Sequence, residues 1–242
     1  MRIDGRKPDE LRKISIKPDF ILYPEGSVLI EMGNTKVLCN VTIEETVPNW
    51  MQSQGIKGGW ITSEYSMLPR STHNRTPRER ILSGGRSNEI RRIIGRSLRA
   101  AVDLDFLGPR TCIVDCDVLQ ADGGTRTASI TGGYVALNIA LRNNLETKAI
   151  TEKLINTNIA AVSVGLVGGV HMLDLCYQED VAADVDLNVV MNSSGEFVEV
   201  QGTGEKGAFS RQNLDTMLNL AYKGIGQIIE LQNQILAVHH IL

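Results

Sequence analysis

The sequence has few aromatic residues: four Phe, two Trp and five Tyr in 242 positions. It has no apolar run near the ~20 residues needed to span a bilayer, so neither a transmembrane helix nor a membrane partner is expected. The opening stretch MRIDGRKPDELRK is charged and holds no apolar core, so no secretory signal is expected. Only four cysteines occur, and none forms a CxxC pair. Cys112 and Cys116 share one side of an alternating run. Four residues of strand would separate them by roughly 13 Å, beyond disulfide reach. Without CxxC or a neighbouring His, a zinc site is not expected either. These absences lead to the expectation of a reduced, cytoplasmic protein. No Pro-rich, low-complexity or linker-like stretch divides the chain, so one compact domain over 1–242 is expected.

What is present is an ordinary globular composition, 42% hydrophobic and 22% charged. The formal net charge of −3 argues against a generally basic nucleic-acid binder. That average hides an asymmetry. Between Arg70 and Arg99 lie nine arginines, no lysine and only Glu79 and Glu89 on the acidic side, a local charge of +7. A basic patch on an acidic chain is the electrostatic footprint of a polyanion partner. The exclusive use of arginine favours phosphate recognition, because the guanidinium presents a planar two-pronged donor.

The patterning alternates between strand and helix periods. SVLIEMGNTKVLCNVTIEE contains two alternating runs around Gly33–Asn34, a hairpin signal. Trp60–Leu68 reads as a further strand. SNEIRRIIGRSLRAAVDL reads as a helix with Ser87 as N-cap and Ile90, Ile93, Ile94 and Leu98 on its apolar face. Arg92, Arg96 and Arg99 share another face. TCIVDCDVLQ reads as a strand with Cys112, Val114, Cys116 and Val118 on one side. A second β-rich stretch starts near Asn158, punctuated by Gly168–Gly169 and Ser193–Ser194–Gly195. A last helix is expected from about Ser210 to Leu236, with Leu214, Met217, Leu218, Ala221, Ile225, Ile228 and Ile229 turned inward. Strands followed by helices in both halves predict an α+β fold with a weak internal duplication.

Two stretches carry chemistry. ADGGTR lies between the 111–120 strand and TASITGGYVALNIALRNN, which has amphipathic helical spacing through Ile130, Val135, Ala136 and Ile139. Glycines admit close approach of backbone N–H groups, and a helix start leaves its first N–H groups unpaired. Thr125 and Arg126 add a hydroxyl and a guanidinium. The stretch alone allows two readings, a phosphate site or an ordinary turn with a solvated arginine. In LDLCYQEDVAADVDLNVVM, Asp184, Asp186 and Asn188 point to one face while Val185, Leu187 and Val189 point to the other. Asp180 lies at the turn before this strand. Three carboxylates converging on one edge would suit Mg²⁺ or Mn²⁺; the alternative is a solvated edge strand. The four histidines contribute to neither cluster.

With these pieces in place the chain resembles the RNase PH family of phosphate-dependent exoribonucleases nearly end to end. The resemblance is carried by MRIDGRKPDELR, EGSVLIEMGNTKVLC, EYSMLPRSTHNR, IGRSLRAAVDL, CDVLQADGGTRTASITGG, YQEDVAADVDLNVVM and EVQGTGE. It implies a ribosomal-protein-S5-domain-2-like fold and a homohexameric ring built as a trimer of dimers. It implies phosphorolytic trimming of tRNA precursor 3′ ends and other RNA. Phosphate, as co-substrate, would be held by Arg86, Gly124, Thr125 and Arg126. The implied catalytic and metal-binding carboxylates are Asp180 and Asp186, with Asp184 an additional metal candidate and Mg²⁺ or Mn²⁺ the ion. RNA contacts are expected among Arg70, Arg75, Arg92, Arg96 and Arg99. Two stretches, SQGIKGGW and ERILSGGRS, differ in length from the usual family pattern. Two other classes compete with this reading: a ring subunit that grips RNA without cutting it, and a hydrolytic nuclease.

Overall fold

In the computed structural model, which describes residues 2–78, 85–144 and 153–239, the runs around Gly33–Asn34 form the expected hairpin. Strand β2 (Gly26–Met32) pairs antiparallel with β3 (Thr35–Glu44), and Met32 faces Thr35 across the two-residue turn. Gly33 has φ +58°, the left-handed conformation that such a turn requires. Strand β1 (Ile14–Pro18) flanks β2. After the short helix α1 (Asn49–Ser53) comes β4 (Trp60–Met67). It runs parallel to β5 (Thr111–Gln120), which in turn pairs antiparallel with β3. The sheet order is therefore β1-β2-β3-β5-β4. A parallel pair needs a long crossover, supplied here by α2 (Gly85–Arg99) and the short α3 (Leu104–Leu107). Cys112, Val114, Cys116 and Val118 are all fully or almost fully buried, as their alternation predicts.

The second half is an antiparallel sheet, β7-β6-β8-β9. It comprises β6 (Ile159–Val167), β7 (Val170–Leu173), β8 (Val185–Asn192) and β9 (Phe197–Gly204). Between β7 and β8 sits a short helix, Tyr177–Ala182. Helix α4 (Thr125–Asn144) follows β5, so that short helix is α5 and the final one is α6 (Arg211–His239). Met217, Ala221, Ile225, Ile228 and Ile229 of α6 are buried, and Leu214 and Leu218 are half-buried against the core.

Two local expectations are corrected. The 125–144 helix is not amphipathic: every residue from Thr127 to Leu141 is buried. It packs on β2 and β3 of one sheet and on β6 of the other, so no face is left for solvent. Several of its polar side chains find partners inside the protein. Thr131 Oγ1 accepts from Ala161 N at 3.1 Å, and Asn138 Nδ2 donates to Tyr134 Oη at 3.1 Å. Ser87 does not cap α2, because it lies inside a helix already formed at Gly85. Glu79, Arg80 and His240, which entered the sequence reading, lie outside the described residues. Among the described residues no helix is long and apolar enough to cross a membrane.

Candidate active site

The end of β5 delivers the chain to Ala121–Gly124, where Gly123 and Gly124 both adopt left-handed φ, +77° and +65°. A methyl on Gly123 would lie 2.5 Å from the Leu175 carbonyl oxygen, so only glycine fits this turn. Helix α4 begins at Thr125, which places Thr125 and Arg126 in its first turn beside unpaired N–H groups. The Thr125 hydroxyl is 2.8 Å from Tyr65 Oη on β4. Tyr65 is only 6% exposed, and its burial pushes the phenol pKa up. Arg126 Nη1 donates to Gln201 Oε1 on β9 at 2.6 Å, and Gln201 donates onward to Glu89 on α2. The guanidinium is thereby aimed by both halves of the fold.

Asp180 rides on α5, and its neighbour Glu179 locks that helix. Glu179 accepts from Arg2 Nε and Nη2 at 2.7 and 2.6 Å in a buried ion pair, and from Cys176 N at 3.0 Å. Asp186 and Asn188 share one face of β8, opposite buried Val185, Leu187 and Val189. Asp186 Oδ2 accepts from Asn188 Nδ2 at 3.3 Å, whereas Oδ1 is buried without a hydrogen-bond partner among the described residues. Burial first, then the Asp180 charge, push the Asp186 carboxyl up to about 6, with Arg126 pulling the other way. Burial also raises Asp180, against the pull of Arg86 and Arg126.

One cavity of about 980 Å³ is lined by Arg86, Gly124, Thr125, Arg126, Asp180 and Asp186. The fold thus brings six candidates from three separate stretches to a single cavity. Asp184 is not among its lining residues. It precedes β8 and forms a 2.9 Å ion pair with Lys206, whose hydrogen bond holds its carboxyl below the usual range. Among the described residues no group of three or more His, Cys, Asp and Glu is arranged to hold a metal, although Glu205 joins Asp180 and Asp186 in lining the cavity. Arg92, Arg96 and Arg99 line a different depression beside Trp60. Arg99 lies 4.3 Å over the Trp60 ring and donates to Ile61 O, and Arg96 pairs with Glu199 at 3.1 Å. Arg70 and Arg75 are exposed in the segment after β4, whose His73 and Asn74 edge the large cavity.

Sequence reasoning missed Arg12, Thr35, Tyr65 and Gln201, all of which touch residues of the 122–126 turn. All four sit inside stretches that carry the resemblance, MRIDGRKPDELR, EGSVLIEMGNTKVLC, EYSMLPRSTHNR and EVQGTGE. A linear motif, however, does not disclose partners 60 to 110 positions away.

The chain is similar along nearly its whole length to known proteins of one family. Models of the 3′ exoribonuclease family match residues 10–142 with its first domain and 157–224 with its second. Over 239 residues the chain is 52% identical to Ribonuclease PH of Solibacter usitatus, covering 98% of this chain and 99% of that one. The fold is similar to rice Rrp46, with TM-score 0.78 and 18% identity over 97% of this chain and 100% of the other. An Archaeoglobus fulgidus exosome with RNA bound to its active site has TM-score 0.77 and 25% identity, over 95% of this chain and 91% of that one.

Proposed function

We infer, from the premise that this chain belongs to the RNase PH family of 3′ exoribonucleases, that it shortens RNA from the 3′ end by phosphorolysis. Inorganic phosphate attacks the terminal phosphodiester. The products are a nucleoside diphosphate and an RNA shorter by one nucleotide. Precursor tRNA 3′ ends and other free RNA 3′ ends are the substrates. The observation that carries this reading is the shared cavity, which Arg86 and Arg126 line together with Asp180 and Asp186.

An anionic nucleophile meets an anionic phosphodiester, so the obstacle is charge repulsion and the remedy is positioning with neutralisation. Arg126 and Arg86 hold the attacking phosphate, and the Thr125 hydroxyl and the N–H groups at the start of α4 complete its cradle. Gln201 holds Arg126 in one orientation, so little rearrangement is needed when phosphate enters. Asp180 and Asp186 suit a hard divalent cation, Mg²⁺ or Mn²⁺: the donors are all oxygen, and Asp186 Oδ1 is buried with no protein partner. When bound, such an ion supplies neutralisation of charge on the scissile group and the departing 3′ oxygen.

RNA as substrate is supported by the exosome relative with RNA in its active site. Arg70 and Arg75 stand near the cavity, and Arg92, Arg96 and Arg99 offer sequence-blind backbone contacts further from the reacting end. A hexameric ring follows from the family resemblance. The exposed apolar run Phe20–Tyr23, with Leu22 and Tyr23 at 87% and 91% exposure, supports burial between subunits. The chain works as one unit over 1–242, with α4 between its sheets, in the cytoplasm. Incubating 3′-extended RNA with and without inorganic phosphate tests the reading. Nucleoside diphosphates are expected only with phosphate; monophosphates formed equally well without it would establish hydrolysis instead.

A further inference from the structure

The turn that carries the proposed phosphate cradle is gripped from beneath by two residues that never reach the cavity. Arg12 and Thr35 are both buried. Arg12 donates to the Asp174 carboxylate three times, from its backbone N (2.8 Å), Nε (3.0 Å) and Nη2 (2.7 Å). Asp174 is itself immobile: it is fully buried, with φ +54°. Its N–H donates to Ser163 O at 2.7 Å, and its carbonyl accepts from Arg2 Nη2 at 2.9 Å. With one edge of the guanidinium fixed there, Nη1 donates to Asp122 O at 2.6 Å and Nη2 leans toward Gly123 O at 3.5 Å. Thr35 completes the grip, since its hydroxyl donates to Gly123 O at 2.6 Å and accepts from Asp122 N at 2.9 Å.

We propose that Arg12 and Thr35 are positioning residues for phosphate, clamping the Asp122 and Gly123 carbonyls so that the following N–H groups face the cavity. In a trans peptide the C=O and N–H of one unit point in opposite directions. Holding the carbonyls of Asp122 and Gly123 on the protein side therefore turns the N–H groups of Gly123 and Gly124 outward. Gly123, Gly124, Thr125 and Arg126 all line the cavity wall. Neither glycine has a side chain to brace its own conformation, and left-handed φ is one of several wells open to glycine. The orientation must come from outside the turn, and Arg12 with Thr35 supplies it. The inference rests on the phosphate reading given above.

The probe is inorganic phosphate, measured by calorimetric titration and by initial rates of RNA degradation against phosphate concentration. Arg12→Lys keeps a cation beside Asp174 but cannot span to both carbonyls. Thr35→Val keeps shape and removes both hydrogen bonds without touching an ion pair, so it carries the test alone if Arg12→Lys does not fold. In each folded variant the phosphate Kd and KM are expected to rise about tenfold, the scale of one hydrogen bond to an anion. The kcat at saturating phosphate and the RNA KM should stay near wild type. Loss of kcat with an unchanged phosphate KM would mark a merely structural role and overturn the proposal. So would normal phosphate binding in folded Thr35→Val, or no phosphate binding by wild type. Wild-type protein that binds phosphate but never consumes it would refute phosphorolysis. Weakened binding in the variants would still support the clamp in that case.

Discussion

Asp186→Asn preserves the shape of the side chain and removes a charge that its surroundings oppose. Burial and then the neighbouring Asp180 lift this carboxyl from its ordinary 3.8 to about 6. Between those values the folded chain binds more protons than the unfolded chain. Stability therefore falls as pH rises through that window and stays lower above it. A gap of about 2 units, at ~1.36 kcal/mol each, sets a ceiling of about 3 kcal/mol on the cost of the ionised group. In chelator near neutral pH, Asp186→Asn is expected to raise the unfolding free energy by about 1–3 kcal/mol, measured by urea titration with circular dichroism. The gain should shrink as pH falls through about 6 toward the ordinary carboxylate range, where both chains are neutral at this position. The same variant should lose RNA degradation at every phosphate concentration while still shifting RNA in a gel. A protein at once more stable and inactive cannot be explained by misfolding. A variant less stable than wild type, or a gain undiminished in acid, would refute the reasoning.

Arg126→Ala removes a charged hydrogen-bond donor, so the phosphate KM should rise about 10- to 100-fold and high phosphate should partly rescue the rate. Asp180→Asn should not be rescued; the opposite pattern in steady-state rates would reverse the assigned roles. Gly123→Ala forces a methyl to 2.5 Å from Leu175 O in a left-handed residue. A loss of ~1–3 kcal/mol in urea titration is expected, and a neutral effect would show that the turn is not constrained. Arg2→Met leaves buried Glu179 with only a 3.7 Å contact to Arg6 and the Cys176 N–H, a loss of ~3–5 kcal/mol that an accompanying Glu179→Leu should partly restore. Light scattering should give six chain masses, and a monomer fully active on precursor tRNA would remove the need for a ring.

Much of the fold was legible because its strands alternate. Thr111–Gln120 and the turn at Gly33–Asn34 lie where period-two burial and hairpin chemistry put them. Helix α4 was misread for a physical reason. Its apolar stripe is real, but a helix between two sheets also buries its Thr, Ser and Asn residues against internal partners, which composition does not reveal. At the site, the sequence supplied the residue types and not their pairing. Asp184 and Asp186 stand two apart, yet Lys206 takes one and the cavity takes the other. Arg12 read only as part of a charged opening stretch, while in three dimensions it lies under the proposed phosphate loop, held by a residue 162 positions away.

The location of the cavity explains why these long-range pairs matter. Arg86, Gly124, Thr125 and Arg126 belong to the first half of the chain, and Asp180 and Asp186 to the second. The two guanidinium groups of the cavity come from the first half and its carboxylates from the second. The halves are joined by α4, buried between β2–β3 and β6, and its first turn is the proposed phosphate cradle. Small shifts between the sheets would change the distance from the cradle to the carboxylates directly. The cross-ties run where such shifts would do harm. Arg126 reaches Gln201 on β9, Arg2 reaches Glu179 on α5, and Arg12 reaches Asp174 before it. Each uses the fixed geometry of a guanidinium, which holds direction as well as charge. On the proposed reading, arginine in this chain therefore has two tasks, facing phosphate in the cavity and fixing from behind the frame that faces it.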